Sequence, residues 1–246
     1  MTQIEQPHRY GDEIFAAEAG VVTRADFIRK TYLHLAGAIL AFIGVELVIF
    51  QTVNVEAITM SMLGGYSWLI VLGAFMLVSW LAHSWASSAT SIGVQYAGLA
   101  VYVIAQAVIF VPLLFIADRF NQGQAYGGHN IIATAAVTTL TMFGGLTGFV
   151  LISGKDFSFL RGALVIGGIA ALMLIVASIY FKFDLGIIFT IVMIALACGF
   201  ILYDTSNVLH HYRIGQHVAA SLALFASVAL LFWYVLQLLM YLQGRD

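Results

Sequence analysis

The chain has 246 residues, of which 62% are hydrophobic and only 9% charged, and its mean hydropathy is +0.98. Ordinary soluble domains carry about 25% charged residues and about half apolar ones, so the composition excludes a soluble globular enzyme and a disordered chain. The net charge of −2 leaves no basic footprint for nucleic acid, and the single Cys198 excludes an intrachain disulfide and a cysteine-based metal cage.

Residues 1–25 hold Glu5, Arg9, Asp12, Glu13, Glu18 and Arg24 without a long apolar run. They read as a mobile polar cytoplasmic tail rather than a signal peptide, which would place an apolar stretch directly after basic residues. Residues 26–246 read as one transmembrane domain. A spanning helix needs about 20 mostly apolar residues. The first such stretch covers 28–51. A long uncharged run from Ala57 to Ile116 is split by His83-Ser84-Trp85-Ala86-Ser87-Ser88 into spans at 65–85 and 93–117. Four more follow at 129–153, 162–181, 185–207 and 218–243. These runs are apolar all round, whereas membrane strands alternate polar and apolar residues. The expected fold class is therefore an all-α integral membrane protein with seven transmembrane helices.

Lys and Arg concentrate on the cytoplasmic side of membrane proteins. With the N-terminus cytoplasmic, the inner segments hold Arg9, Arg24, Arg29, Lys30, Lys155, Arg161 and Arg213, and the outer ones Arg119, Lys182 and Arg245. That distribution favours the N-terminus inside.

Ionisable side chains at membrane depth are expensive and usually functional. Two acids qualify. Asp204 lies near the inner end of the sixth span, where the helix dipole disfavours a negative charge; the bland alternative is an interfacial carboxylate. Glu46 lies in the outer half of the first span and reaches either headgroups or a cavity. His34, His83, His210, His211 and His217 map to the inner side, while His8 falls in the tail and His129 outside. Histidine changes charge near neutral pH, so one close to Asp204 would make a pH-sensitive pair. Adjacent His210 and His211 point apart on a helix, which makes a zinc site with His217 the weaker reading. Gly144-Gly145-Leu146-Thr147-Gly148 and Gly167-Gly168 read as places where helices approach closely. No GxSxG stretch or nucleophile–base order is present, so catalysis and resident cofactors are not expected.

Two motifs and the layout carry a resemblance. Gly154-Lys155-Asp156-Phe157-Ser158-Phe159-Leu160 after the fourth span and Phe200-Ile201-Leu202-Tyr203-Asp204-Thr205 in the sixth, together with seven spans entered through Phe27-Ile28-Arg29-Lys30-Thr31-Tyr32, resemble the Bax inhibitor family over residues 25–243. The short leader is similar to the bacterial, YccA-like branch. The resemblance implies a central seventh span wrapped by the other six, placement in the bacterial inner membrane, and a pH-dependent calcium leak controlled by two aspartates. One matches Asp204. The other falls on Ser227, and no acid occurs anywhere in the seventh span. His83 stands nearest to a basic residue that pairs with the helix-six aspartate in some bacterial members. The resemblance also implies an alternative: regulation of a membrane-bound AAA protease, for which the polar tail would be a handle. Two close carboxylates titrate in coupled steps and a single one cannot, so an Asp204–His83 pair is the expected route to pH sensitivity here.

Overall fold

The computed structural model describes residues 14–88, 91–123 and 130–244. His8, His129, Arg9 and Arg245 lie outside the described residues. Eight helices follow in order: α1 (Val21–Thr52), α2 (Val55–Leu63), α3 (Ser67–Ala86), α4 (Ile92–Gly123), α5 (Ile131–Ser153), α6 (Leu160–Phe181), α7 (Gly186–His210) and α8 (His217–Gln243). Among the described residues there is no strand, only an isolated bridge between Phe15 and Arg213. All but α2 are long and apolar enough to cross a membrane. The seven-span, all-α architecture is the one the apolar runs predict, because hydrocarbon leaves backbone groups no partner but their own helix.

The spans run alternately up and down. At one end, called the near end, α1, α4, α6 and α8 begin and α3, α5 and α7 finish. The far end carries α2 and the α6–α7 turn. Helices α1 and α4 outrun the apolar segments that announce them. Thirty-two residues each, at about 1.5 Å per residue, reach about 48 Å against a hydrocarbon core of about 30 Å.

The unexpected element is α2. Most of it lies in the uncharged run that begins at Ala57, and Asn54 caps it, its side chain accepting from the Ala57 N–H at 3.0 Å. Glu56 on α2 then pairs with Arg119 of α4 at 3.0 Å, which ties the far-end connection to the bundle.

Helix α8 is the hub. It packs against α1, α3, α4, α5 and α7, while α6 lies mainly on α7. Its buried positions surround the helix: Leu222, Leu224, Leu231 and Leu236 are fully enclosed. The outer spans instead show apolar side chains outward, such as Leu77 at 71% and Ile188 at 76% exposure. That surface is a lipid face, since no soluble fold leaves so large a continuous apolar patch in water.

Residues 14–20, expected to belong to a loose tail, are pinned at the near end. Ala16 N–H donates to the Tyr212 carbonyl at 2.9 Å, Ile214 N–H donates to the Ile14 carbonyl at 3.0 Å, and Arg213 lies over the Phe15 ring.

The glycine expectation needs correction. Side chains added at Gly144, Gly145 or Gly148 would meet nothing within 4 Å, so that stretch does not mediate a close helix approach. Gly98 does. A β-carbon there would sit 2.6 Å from the Ala82 carbonyl oxygen and 2.7 Å from the Ala86 nitrogen, where α4 crosses α3 backbone to backbone. Gly167 also adjoins its neighbour closely, but against the flexible Leu196 side chain. We therefore expect Gly98→Ala to lower stability by roughly 1–3 kcal/mol through overpacking. Gly145→Ala should be neutral or slightly stabilising. Thermal unfolding of the two purified variants in one detergent checks the contrast.

Candidate functional site

Asp204 faces inward because of its register. Ala197, Ile201, Asp204, Thr205 and Val208 recur at three- and four-residue spacing and form the buried stripe of α7. On α8 the matching stripe is Leu224, Ser227, Val228 and Leu231. The two stripes meet, and the Ser227 Oγ–H donates to Asp204 Oδ2 at 2.5 Å. Asp204 is 9% exposed. A carboxyl removed from water needs a donor, and a hydroxyl supplies one without bringing a second charge.

Other polar groups collect around this contact. Tyr102 of α4 lies close enough to feel the Asp204 charge. So does Tyr212, just beyond α7, whose phenol is pushed up by burial first and by the Asp204 charge second. The hydroxyls of Tyr32 (α1), Thr147 (α5) and Thr205 (α7) face one another in the interior without completing a hydrogen bond. Neither Tyr102 nor this hydroxyl trio stood out in the sequence, where each is one polar residue inside an apolar run.

The histidines do not converge on Asp204. His83 is exposed; its Nδ1 pairs with the Ser79 carbonyl at 2.8 Å and its ring meets Tyr102 edge-on at 5.3 Å. Tyr102 is thus the group shared between His83 and Asp204. His34 joins Tyr96 OH at 2.7 Å, and its ring lies 4.8 Å from that of His217. His210 reaches the Gly154 carbonyl at 3.2 Å and His211 reaches Asp156 Oδ2 at 3.2 Å. Among the described residues no three His, Cys, Asp or Glu side chains gather to hold a metal ion. Glu46 sits in the other half of the bundle, 6% exposed and far along α1 from the near end.

The first motif docks on Ser206, the residue that follows the second motif. Gly154 ends α5 in the left-handed region at φ 60°, which glycine adopts without strain. Asp156 then folds back so that its Oδ1 accepts the Ser158 N–H at 2.8 Å. Ser206, two residues past Asp204, donates its hydroxyl to Asp156 Oδ1 at 3.1 Å and accepts the Phe157 N–H at 2.8 Å. One face of the last α7 turns therefore holds α8 through Asp204, and another holds the α5–α6 connection through Ser206. The Ser158 N–H, helped by the hydroxyls of Ser158 and Ser206 and by His211, holds the Asp156 carboxyl well down, to about 2.

A cavity of ≈ 490 Å³ runs beside α8. Its α8 wall is the single stripe Ala226, Leu230, Trp233, Tyr234, Gln237 and Tyr241. The fifteen steps from Ala226 to Tyr241 make that wall about 22 Å long. The far mouth carries Asp184, which accepts from Tyr241 OH at 3.2 Å. Buried Gln106 lies along the way. The near end stops at Tyr102, Phe200 and Ala226, one turn from Asp204 and one residue from Ser227.

The Asp156 contacts have a pH signature. A carboxyl whose pKa is depressed by folding stabilises its surroundings above its ordinary value, and that stabilisation fades as pH falls through the folded value. The α5–α6 connection should therefore stay docked on α7 down to about pH 4 and loosen progressively toward pH 2. At neutral pH, Ser206→Ala should speed amide exchange at Phe157 about fivefold, the worth of one hydrogen bond of about 1 kcal/mol. Hydrogen-exchange measurements across this pH range read both effects.

Comparison with known proteins follows the same lines. The family model described as inhibitor of apoptosis-promoting Bax1 matches residues 24–244. Bax inhibitor 1 of Schizosaccharomyces pombe is 36% identical over 145 residues, which cover 56% of this chain and 53% of that protein. Protein LIFEGUARD 4 of Arabidopsis thaliana is 28% identical over 214 residues, 85% of this chain and 82% of the relative. The modulator of FtsH protease YccA of Escherichia coli K12 is 26% identical over 193 residues, 77% and 82% of the two chains. This chain spans about half the length of the yeast relative and most of the other two. No solved structure matches it. A family match from the first turn of α1 to the end of α8, over seven spans, makes this chain a member of the Bax inhibitor family.

Proposed function

We propose that this protein is a pH-sensitive cation leak of the bacterial inner membrane, calcium among its cargo, with Asp204 as the gate. The observation that carries the reading is the Asp204–Ser227 contact, which lies just beyond the blind near end of a cavity about 22 Å long. While Ser227 donates to the carboxylate, α7 and α8 are clasped at that point. A cation arriving from Asp184 past Gln106 and Tyr102 competes with Ser227 for the same carboxylate. Calcium seeks six to eight oxygens, so two oxygens make a passing point rather than a storage site. Protonation turns the acid from an acceptor into a donor, which re-forms the clasp with different geometry. His83, exposed at the near end and in ring contact with Tyr102, is the relay that couples cytoplasmic pH to the gate.

The near end faces the cytoplasm in this reading, so the N-terminus is inside. Arg24, Arg29, Lys30, Lys155, Arg161 and Arg213 belong to that end, against Arg119 and Lys182 at the far end.

Calcium efflux from proteoliposomes tests the gate. Wild type should leak with a rate that depends on pH, Asp204→Asn should abolish that dependence, and Ser227→Asp should steepen it by coupling two carboxyls. Absence of flux at every pH overturns the proposal.

One finding favours a second reading, in which the chain modulates a membrane-bound AAA protease without transporting anything: its YccA relative is named a modulator of FtsH protease. Co-purification of such a protease, lost on removal of residues 1–13, together with absent flux, would select it.

A further inference from the structure

A second cavity, of ≈ 520 Å³, occupies the far half of the bundle. Its sides are α1 and α5, and its floor is α4 and α8. Five phenylalanines line it: Phe42, Phe50, Phe110, Phe225 and Phe232. Phe110 also borders the cavity beside Tyr102 and Trp233, so its ring is the partition between the two spaces.

Two polar groups on this lining have no partner among the described residues. Glu46 is 6% exposed with both carboxyl oxygens unpaired, and Thr139 is 2% exposed with its hydroxyl unpaired. Native proteins rarely bury such groups unsatisfied, and each one calls for an explanation. Among the described residues the only other charged group on the lining is Asp118, so the described wall carries two acids and no base.

We propose that this cavity binds a hydrophobic organic cation, an amine or quaternary ammonium on an aromatic or alkyl body. The cationic head would neutralise Glu46, with the Thr139 hydroxyl beside it. Phenylalanine faces attract cations through their quadrupoles, most strongly where water is excluded. The volume lies within the range of small-molecule sites, which are mostly apolar with a few placed polar groups. A metal ion fits poorly here, because it needs several oxygens and this lining is overwhelmingly carbon. The site goes beyond the leak and does not depend on it, since Asp204 lies in the other half of the bundle.

The probe is phenyltrimethylammonium, and the control is tert-butylbenzene, its neutral isostere. Equilibrium dialysis against the full chain in nanodiscs, corrected with empty nanodiscs, measures both. We expect one saturable site that prefers the cation, weakened roughly tenfold or more in Glu46→Gln by loss of the ion pair. Binding should be unchanged in Asp204→Asn, which separates this site from the gate. Equal affinity for cation and isostere, equal binding in Glu46→Gln, or stoichiometric displacement by calcium would each overturn the proposal. If Glu46→Gln does not fold, the cation–isostere comparison on wild type decides alone.

Discussion

Burial of α8 organises this protein. A helix surrounded by other helices in a bilayer gains little from the hydrophobic effect, because lipid is as apolar as its neighbours. Its position must come from packing and from the few polar contacts the interior allows. The Asp204–Ser227 hydrogen bond is the one between buried side chains that joins α7 to α8, and those two helices share the most extensive interface in the bundle. Remaining polar groups are arranged around it: Tyr102 and Tyr212 within reach of its charge, and Ser206 one face away clamping the α5–α6 connection.

The two ends of the bundle are built differently as a result. The near end carries two polar clusters. His34 with Tyr96 and His217 links α1, α4 and α8, and Asp156 with Ser206 and His211 ties the α5–α6 connection to the end of α7. Polar ties at the far end include Glu56–Arg119, Asn121 with Asn130 and Ile131, and Asp184–Tyr241, and two large cavities meet at Phe110. The proposed leak would use both halves, the polar contacts at one end as its gate and the open volume at the other as its path.

Much of this was legible in the sequence, for identifiable reasons. The seven spans were readable because apolar runs of bilayer length have one solution in lipid. Asp204 and Glu46 stood out because acids there are rare, and both proved buried. Helix α2 was hidden because nine residues are too few to show as a span and most of them merge with the apolar run that follows; the Asn54 cap and Glu56 mark its start. The Gly144–Gly148 stretch misled because glycine content does not say which face a helix turns toward its neighbour, and here that side is open. The expected His83–Asp204 pair is not made; His83 meets Tyr102 instead, which lies near enough to feel the Asp204 charge.

Composition and run length alone determined a seven-span helical membrane protein, its two deep acids and the absence of a second acid in α8. Those properties are local: a bilayer acts on each segment separately. Tertiary structure decided the partners, that Ser227 meets Asp204, that Ser206 holds Asp156 of the α5–α6 connection, and that Glu46 and Thr139 share an apolar chamber with no counter-charge among its described residues. These depend on helix rotation and crossing, which are set by side chains far apart in the chain and leave no period or motif behind.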